Sequence, residues 1–198
     1  MRQTRYLRTD EHEEAVRSLE WAEAQARSLG EDSYQWKWVL ISLHNAVQGF
    51  MVLALWQGNG LLALRDKIAG KWLKAYRDGG DYPAEKLDEF LNLYQKVKDK
   101  DNFRYVGAIS FIPGETHDDS LARLNSYRNM FIHFTPKGWS LGLGGLPHIC
   151  LDALDIIQFC GWETAAVLWH KKAHVVRAKR AHRQLRISME SINRQYAI

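Results

Sequence analysis

Two cysteines in 198 residues leave this chain without a disulfide scaffold. Cys150 and Cys160 fall within what reads as one helix. Ten residues of helix put them roughly 15 Å apart, beyond bridging distance, so the expectation is reduced, buried thiols in a cytoplasmic protein. The chain also lacks a long apolar run. The longest, Phe50 to Trp56 behind Gly49, is far short of a bilayer span, and no membrane segment is expected. Met1 to Tyr6 carries positive charge with no apolar core behind it, so no secretory signal is expected either. No repeat, low-complexity tract or useful stretch of strand-like alternation is present. With 46% apolar residues, the composition fits one ordinary domain with a real core. The expected class is all-α: a bundle of four to six helices with a long basic helix at the C-terminal end.

Acidic residues are missing from one region. Lys171, Lys172, Arg177, Lys179, Arg180, Arg183 and Arg186 contribute +7 with no Asp or Glu among them, and Glu190 balances Arg194 after them. Since the whole chain carries +4, residues 1–170 hold the difference, −3. A mildly acidic body, 1–170, and a basic helical tail, 171–198, suggest a polyanion as the tail's partner.

Helix signals punctuate the body. Asp10 with Glu13 three residues on forms a capping-box pattern, and a helix should run from there to Leu29, with Gly30 as its stop. Asp32 or Ser33 can cap a second helix ending near Gln57. That helix is apolar nearly all round, which places it at the centre of a bundle, against a second subunit, or both. His44 and Asn45 interrupt it, either as paired core groups or as support for a site. A weaker pattern covers 61–78 and ends at Gly79-Gly80. Pro83 can open another helix with Leu87, Phe90, Leu91, Tyr94 and Val97 on one stripe. Residues 102–117 show no helical period. Asp118 or Asp119 can cap a helix that stops before Pro136 and Gly138, and Pro147 opens a long one.

Several chemistries lack their residues. There is no Gly-x-x-x-x-Gly-Lys phosphate loop, no Gly-x-Ser-x-Gly elbow and no cysteine beside a histidine. Gly142-Leu143-Gly144-Gly145 has no strand ahead of it for a dinucleotide fingerprint. His170 and His174 are spaced to share a helical face, but only Glu163, two turns back, offers a third ligand, so no metal or other cofactor is expected.

What remains is Asn125-Ser126-Tyr127-Arg128-Asn129-Met130-Phe131-Ile132-His133-Phe134-Thr135-Pro136, the end of a helix that stops at a histidine. Arg128, Asn129 and His133 are polar residues crowded among aromatic and aliphatic ones. This order resembles the HEPN superfamily, small helical bundles in which an Arg, most often followed by Asn, precedes a His by four to six residues. Arg177 with His182 and Arg5 with His12 match the bare spacing too, but only Arg128 is followed by Asn. Only His133 closes an apolar helix and precedes a loop and a further long helix. The insertion over 58–117 and the basic tail depart from the compact form of the family.

The resemblance implies a metal-independent endoribonuclease with a toxin-like or defensive role, in which Arg and His of two subunits meet across a homodimer interface. Asn129 and His133 are four residues apart, so Asn129 would hold the imidazole. Arg128 and His133 sit about 140° apart on a regular helix, so a second copy, or unwinding near Pro136, is needed to converge them. Imidazole would move the proton of a ribose 2′-hydroxyl and Arg128 would stabilise charge on the phosphoryl oxygens. Lys137, Lys171, Lys172, Arg177, Lys179, Arg180, Arg183 and Arg186 would hold the RNA backbone. An antitoxin of nucleotidyltransferase type is a further expected partner. The alternative is a non-catalytic module that binds nucleic acid or protein. In a purely structural role, Arg128 and His133 would cap carbonyls and pair with a carboxylate such as Asp152 or Asp155.

Overall fold

The computed structural model describes residues 5–133, 136 and 138–196. Among them the chain forms seven α-helices and no strand; the one extended pairing is an isolated bridge between Leu64 and Leu87. The all-α class is as expected, with more helices than the four to six anticipated.

Helix α1 (Glu11–Ala26) begins where Asp10, in extended backbone, accepts a hydrogen bond from the Glu13 N–H at 2.8 Å. Glu11, Glu13 and Glu14 in its first turn oppose the positive end of the helix dipole. Ala15, Val16, Leu19, Ala22 and Ala26 form its buried stripe. Asp32 then accepts from the Tyr34 N–H at 2.9 Å, starting a 3-10 turn over Ser33–Gln35 that leads into α2 (Trp36–Leu55).

Helix α2 is the hub. Val39, Leu40, Leu43, Ala46, Val47, Phe50, Met51 and Ala54 have no exposed surface, and Ile41 and Leu53 on the opposite side are buried too. Ser33–Leu55 has the length and apolarity of a bilayer span, and most of it is covered by the rest of the bundle. The cover comes from α1, α4 (Phe90–Lys98), α5 (His117–Ile132) and α6 (Leu146–Gln158). Gly49 allows the closest approach: a Cβ there would sit 2.9 Å from the Ala15 Cβ and 3.1 Å from the Ala15 Cα.

Helix α3 (Asp66–Asp78) stands outside this core and buries none of its side chains; Gly79, at φ 68°, ends it in the left-handed region that suits glycine. Trp72 stacks between Tyr76 and Tyr82 on its surface, with centroids 5.9 and 4.7 Å away.

No helix starts at Pro83. The Arg65 N–H donates to the Lys86 carbonyl and the Asp88 N–H to the Ala63 carbonyl, so this segment is tied down in extended form. Asp88 is buried and pairs with Lys96 at 2.7 Å, which fixes the turn before α4. The following loop packs down only in part: Phe103 and Phe111 are buried, Ile112 is not.

After α6 a π-helical turn, Phe159–Glu163, breaks the helix, and α7 (Lys172–Tyr196) runs separately. Helix α7 packs on both α1 and α6, burying Ala178, Ala181, His182, Leu185 and Met189. The basic segment expected as a tail therefore packs as one wall of the bundle. The Arg177 guanidinium grips Glu13 at 2.9 Å and Glu20 at 2.6 Å, and pulls the Glu13 carboxyl down to about 2. Arg186 donates to Asp155 at 2.6 Å.

The α1–α2 contact is tight enough to test. Gly49→Val should cost about 2 kcal/mol through overpacking, since the opposing atoms belong to or adjoin backbone. For a chain of this size the midpoint of thermal unfolding should fall by about 4–8 °C, measured by circular dichroism.

Candidate functional site

The Arg128-Asn129-x-x-x-His133 segment forms the last turns of α5. Leu121 and Leu124 anchor the helix to the core, and Tyr127 and Phe131 are half-buried further along. Beyond them α5 leaves the bundle's cover: Asn129, Met130, Ile132 and His133 are all exposed. The His133 N–H donates to the Asn129 carbonyl at 2.8 Å, closing the final turn.

The expected grip of Asn129 on the His133 imidazole is not made. Instead Arg128 Nη1 donates to Asn129 Oδ1 at 3.0 Å. His133 sits at φ −99°, ψ 53°, off the helical path, so its side chain does not lie one regular turn above Asn129. Arg128 and Asn129 line a polar cleft of about 310 Å³, which His133 does not reach. The structure thus joins two of the three expected site residues and leaves the third on the open helix end.

The cleft's far wall holds a residue that sequence reasoning treated only as possible support. His44, from the middle of α2, is buried there, stacked on Phe90 at 4.0 Å between centroids. Its Nε2 lies 3.1 Å from Asn125 Oδ1, one turn before Arg128. With the proton on Nε2 for that bond, Nδ1 is left bare, and it finds no partner among the described residues. Burial pushes the His44 pKa down to about 4; the nearby Arg128 charge adds to this and the Asn125 hydrogen bond opposes it. Asn45, its neighbour in sequence, points to solvent. Arg128 Nε is likewise buried and unpartnered, so the guanidinium keeps a single hydrogen bond among the described residues.

Asp152 and Asp155 do not serve Arg128 or His133. Ser120 donates to Asp152 at 2.6 Å, and His117 Nε2 lies 3.3 Å from Asp155. His117, Asp152 and Asp155 are close enough to suggest a metal site. The tautomer argues otherwise: the Gly114 N–H donates to His117 Nδ1 at 3.0 Å, so the neutral ring carries its proton on Nε2, facing the carboxylate. Arg186 already neutralises Asp155.

Of the residues expected to hold RNA, Lys137 lies outside the described residues. Arg177 and Arg186 are engaged in ion pairs within the bundle, and Lys179 lies over the Trp162 ring at 5.7 Å. Lys171, Lys172, Arg180 and Arg183 are exposed and make no ion pair with the described residues. Comparison of the chain with protein-family models, with curated proteins and with solved structures gives no match.

The His44 environment predicts a pH dependence. Its folded pKa, about 4, lies below the unfolded value of 6.5. The unfolded chain therefore takes up the proton first as pH falls. Stability from this ring is complete above pH 6.5 and is lost progressively down to about 4, by about 3 kcal/mol in all. His44→Gln should flatten that part of a denaturant-midpoint profile. His12 and His182, also lowered by burial, should keep some slope in the variant.

Proposed function

We propose that the chain is a metal-independent endoribonuclease of HEPN-like type, acting as a homodimer through Arg128, Asn129 and His133, in a toxin-like or defensive role. The observation that supports it most is the pairing of an under-bonded Arg128 with a polar cleft, beside a histidine left free on an exposed helix end. A guanidinium with donors to spare suits a phosphodiester, and an exposed imidazole suits proton transfer to and from ribose oxygens. His44 is too weak a base to share the acid–base work near neutrality, because burial holds it neutral. It acts as a positioning group that keeps Asn125 and the cleft wall in place.

A second copy gives this arrangement its logic. Arg128 and His133 diverge within one chain, so one subunit does not bring both to one phosphate. Met130 and Ile132 flank His133 and are 40% and 48% exposed. Two α5 ends related by a two-fold axis would cover these side chains and bring the His133 of each subunit towards the Arg128 of the other. The reaction follows the expected course: the 2′-oxygen attacks phosphorus, the 5′-oxygen leaves and takes a proton, and a 2′,3′-cyclic phosphate remains.

RNA docking falls to Lys171 and the exposed cations of α7, Lys172, Arg180 and Arg183, and to α3. Helix α3 carries Lys71, Lys74 and Arg77 with the Trp72–Tyr82 stack, the pattern of a base-stacking platform. It starts beside the cleft, because Lys96 pairs with both Asp66 of α3 and Asp88 of the cleft wall. The failure of His133 to enter the Arg128 cleft favours one other reading, a non-catalytic module that binds nucleic acid or a partner protein such as a nucleotidyltransferase antitoxin.

An RNA cleavage assay in EDTA separates the two. The dimer should yield cyclic-phosphate and 5′-hydroxyl ends and leave DNA intact, and Arg128→Ala or His133→Ala should each lower the rate by at least ~100-fold. A folded protein that cuts neither structured nor unstructured RNA belongs to the binding module, and a monomer at micromolar concentration removes the composite site. Neutralising Lys171, Lys172, Arg180 and Arg183 together should weaken RNA binding and reduce the slope of log affinity against log salt by up to ~4. Arg177→Ala should instead lower stability, since it leaves Glu13 and Glu20 without their partner.

A further inference from the structure

The histidine pair His170 and His174 lacked a third ligand in sequence, and the fold supplies one from the opposite end of the chain. His170 ends the connection into α7, and His174 lies in that helix's first turn. The first turn of α1 packs there. One donor atom each from Glu11, His12 and His170 lies within 4.8 Å of the other two. His12 Nδ1 is 3.6 Å from Glu11 Oε1, and the His12 and His170 rings meet edge to face at 4.8 Å between centroids.

Two features separate this cluster from ordinary packing. First, His12 and His174 are only 5% and 3% exposed, and each keeps a buried ring nitrogen, His12 Nε2 and His174 Nδ1, with no partner among the described residues. Native interiors leave few such groups, and two in one cluster call for a ligand. Second, His174 Nε2 lies 3.0 Å from Glu13 Oε2. Glu13 is itself fixed by Arg17 and Arg177. A carboxylate on one imidazole nitrogen and a bare lone pair on the other is how proteins orient and strengthen a metal-binding histidine. The His117 cluster lacks this feature, since its ring nitrogens are both engaged.

We propose that Glu11, His12 and His170 bind a divalent transition-metal ion of the zinc class, with His174 as the adjacent fourth donor. Imidazole nitrogens with one carboxylate suit Zn²⁺, Co²⁺ or Ni²⁺ and not the oxygen-seeking Ca²⁺ or Mg²⁺. Tetrahedral bonds of about 2.0–2.2 Å place donors roughly 3.4 Å apart. Rotation of Glu11 and His170, both exposed, is the simplest way to draw the set in. An ion there pins the start of α1 to the entrance of α7. It shares no residue with the Arg128 cleft, so the chelator-resistant cleavage proposed above is independent of it.

The test uses the full chain, stripped with chelator and titrated with Co²⁺ as a spectroscopic probe and Zn²⁺ as competitor. The expected result is one Co²⁺ per chain with the intense visible bands of a tetrahedral site. A hundredfold excess of Zn²⁺ over its dissociation constant should raise the unfolding midpoint by about 5–10 °C. His170→Ala removes an exposed side chain, so the variant should fold, yet bind Co²⁺ at least ~10-fold more weakly. His148→Ala, beside Asp152, should bind as the parent does. No stoichiometric binding to the parent overturns the proposal, as does binding that persists in His170→Ala or is lost in His148→Ala.

Discussion

Everything in this bundle follows from the demand of one helix to be covered. Helix α2 is apolar nearly all round, and a helix of that kind is stable in water only when other elements wrap it. Helices α1, α4, α5 and α6 do so, and each contributes the small or apolar residues that the local gap allows. Gly49 lets Ala15 of α1 come close, and Gly161 admits the Phe50 ring, which would lie 2.9 Å from a Cβ there. His44 is, with Ser42, a buried polar residue on this helix. Its ring is covered as fully as its neighbours, and it meets Asn125 of α5 rather than water. The polar cleft exists because a buried imidazole in the hub needs a partner, and α5 supplies it one turn before Arg128.

Charge works at two levels. Arg177, Arg186 and Lys96 are absorbed by the fold, each half-buried or nearly so and tied to one or two carboxylates. These pairs tell helices where to lie. The exposed cations of α3 and α7 have no such employment and shape the field that a polyanion meets. Net charge alone merges the two groups, and partners separate them.

Some helix starts were legible in sequence, though α5 begins after Thr116 and holds the expected caps Asp118 and Asp119 inside its first turn. Asp10 and Asp32 cap where their side chains predict, and the apolar pattern of α2 announces a central helix. Pro83 misled because its helical stripe is real in pattern, while backbone bonds from 63–65 to 86–88 hold the chain extended until Phe90. The basic run misled for another reason: its charges hide an apolar stripe of Ala178, Ala181, Leu185 and Met189 at helical spacing, which fixes α7 to the core. Arg128 and Asn129 were legible as polar residues at a helix end, but their mutual hydrogen bond was not, since i,i+4 geometry assumes a regular helix through His133 and the helix ends there. The histidines around His12 were invisible as a group. Ligands from the two ends of a chain share no local spacing, and only packing of α1 on α7 brings them together.

That packing has a kinetic consequence. The Arg177 fork joins residues 157 and 164 positions apart in sequence, so α1 is completed by α7, which is made after it. During synthesis the side of α1 that α7 will cover stays bare, with Glu13 and Glu20 held only by Arg17. Helices α1, α4, α5 and α6 can gather around α2, but α7 must arrive before the structure locks. Contacts of such long range make the closing step slow relative to helix formation. Until α7 docks, the faces of α1 and α6 that it covers form an open seam.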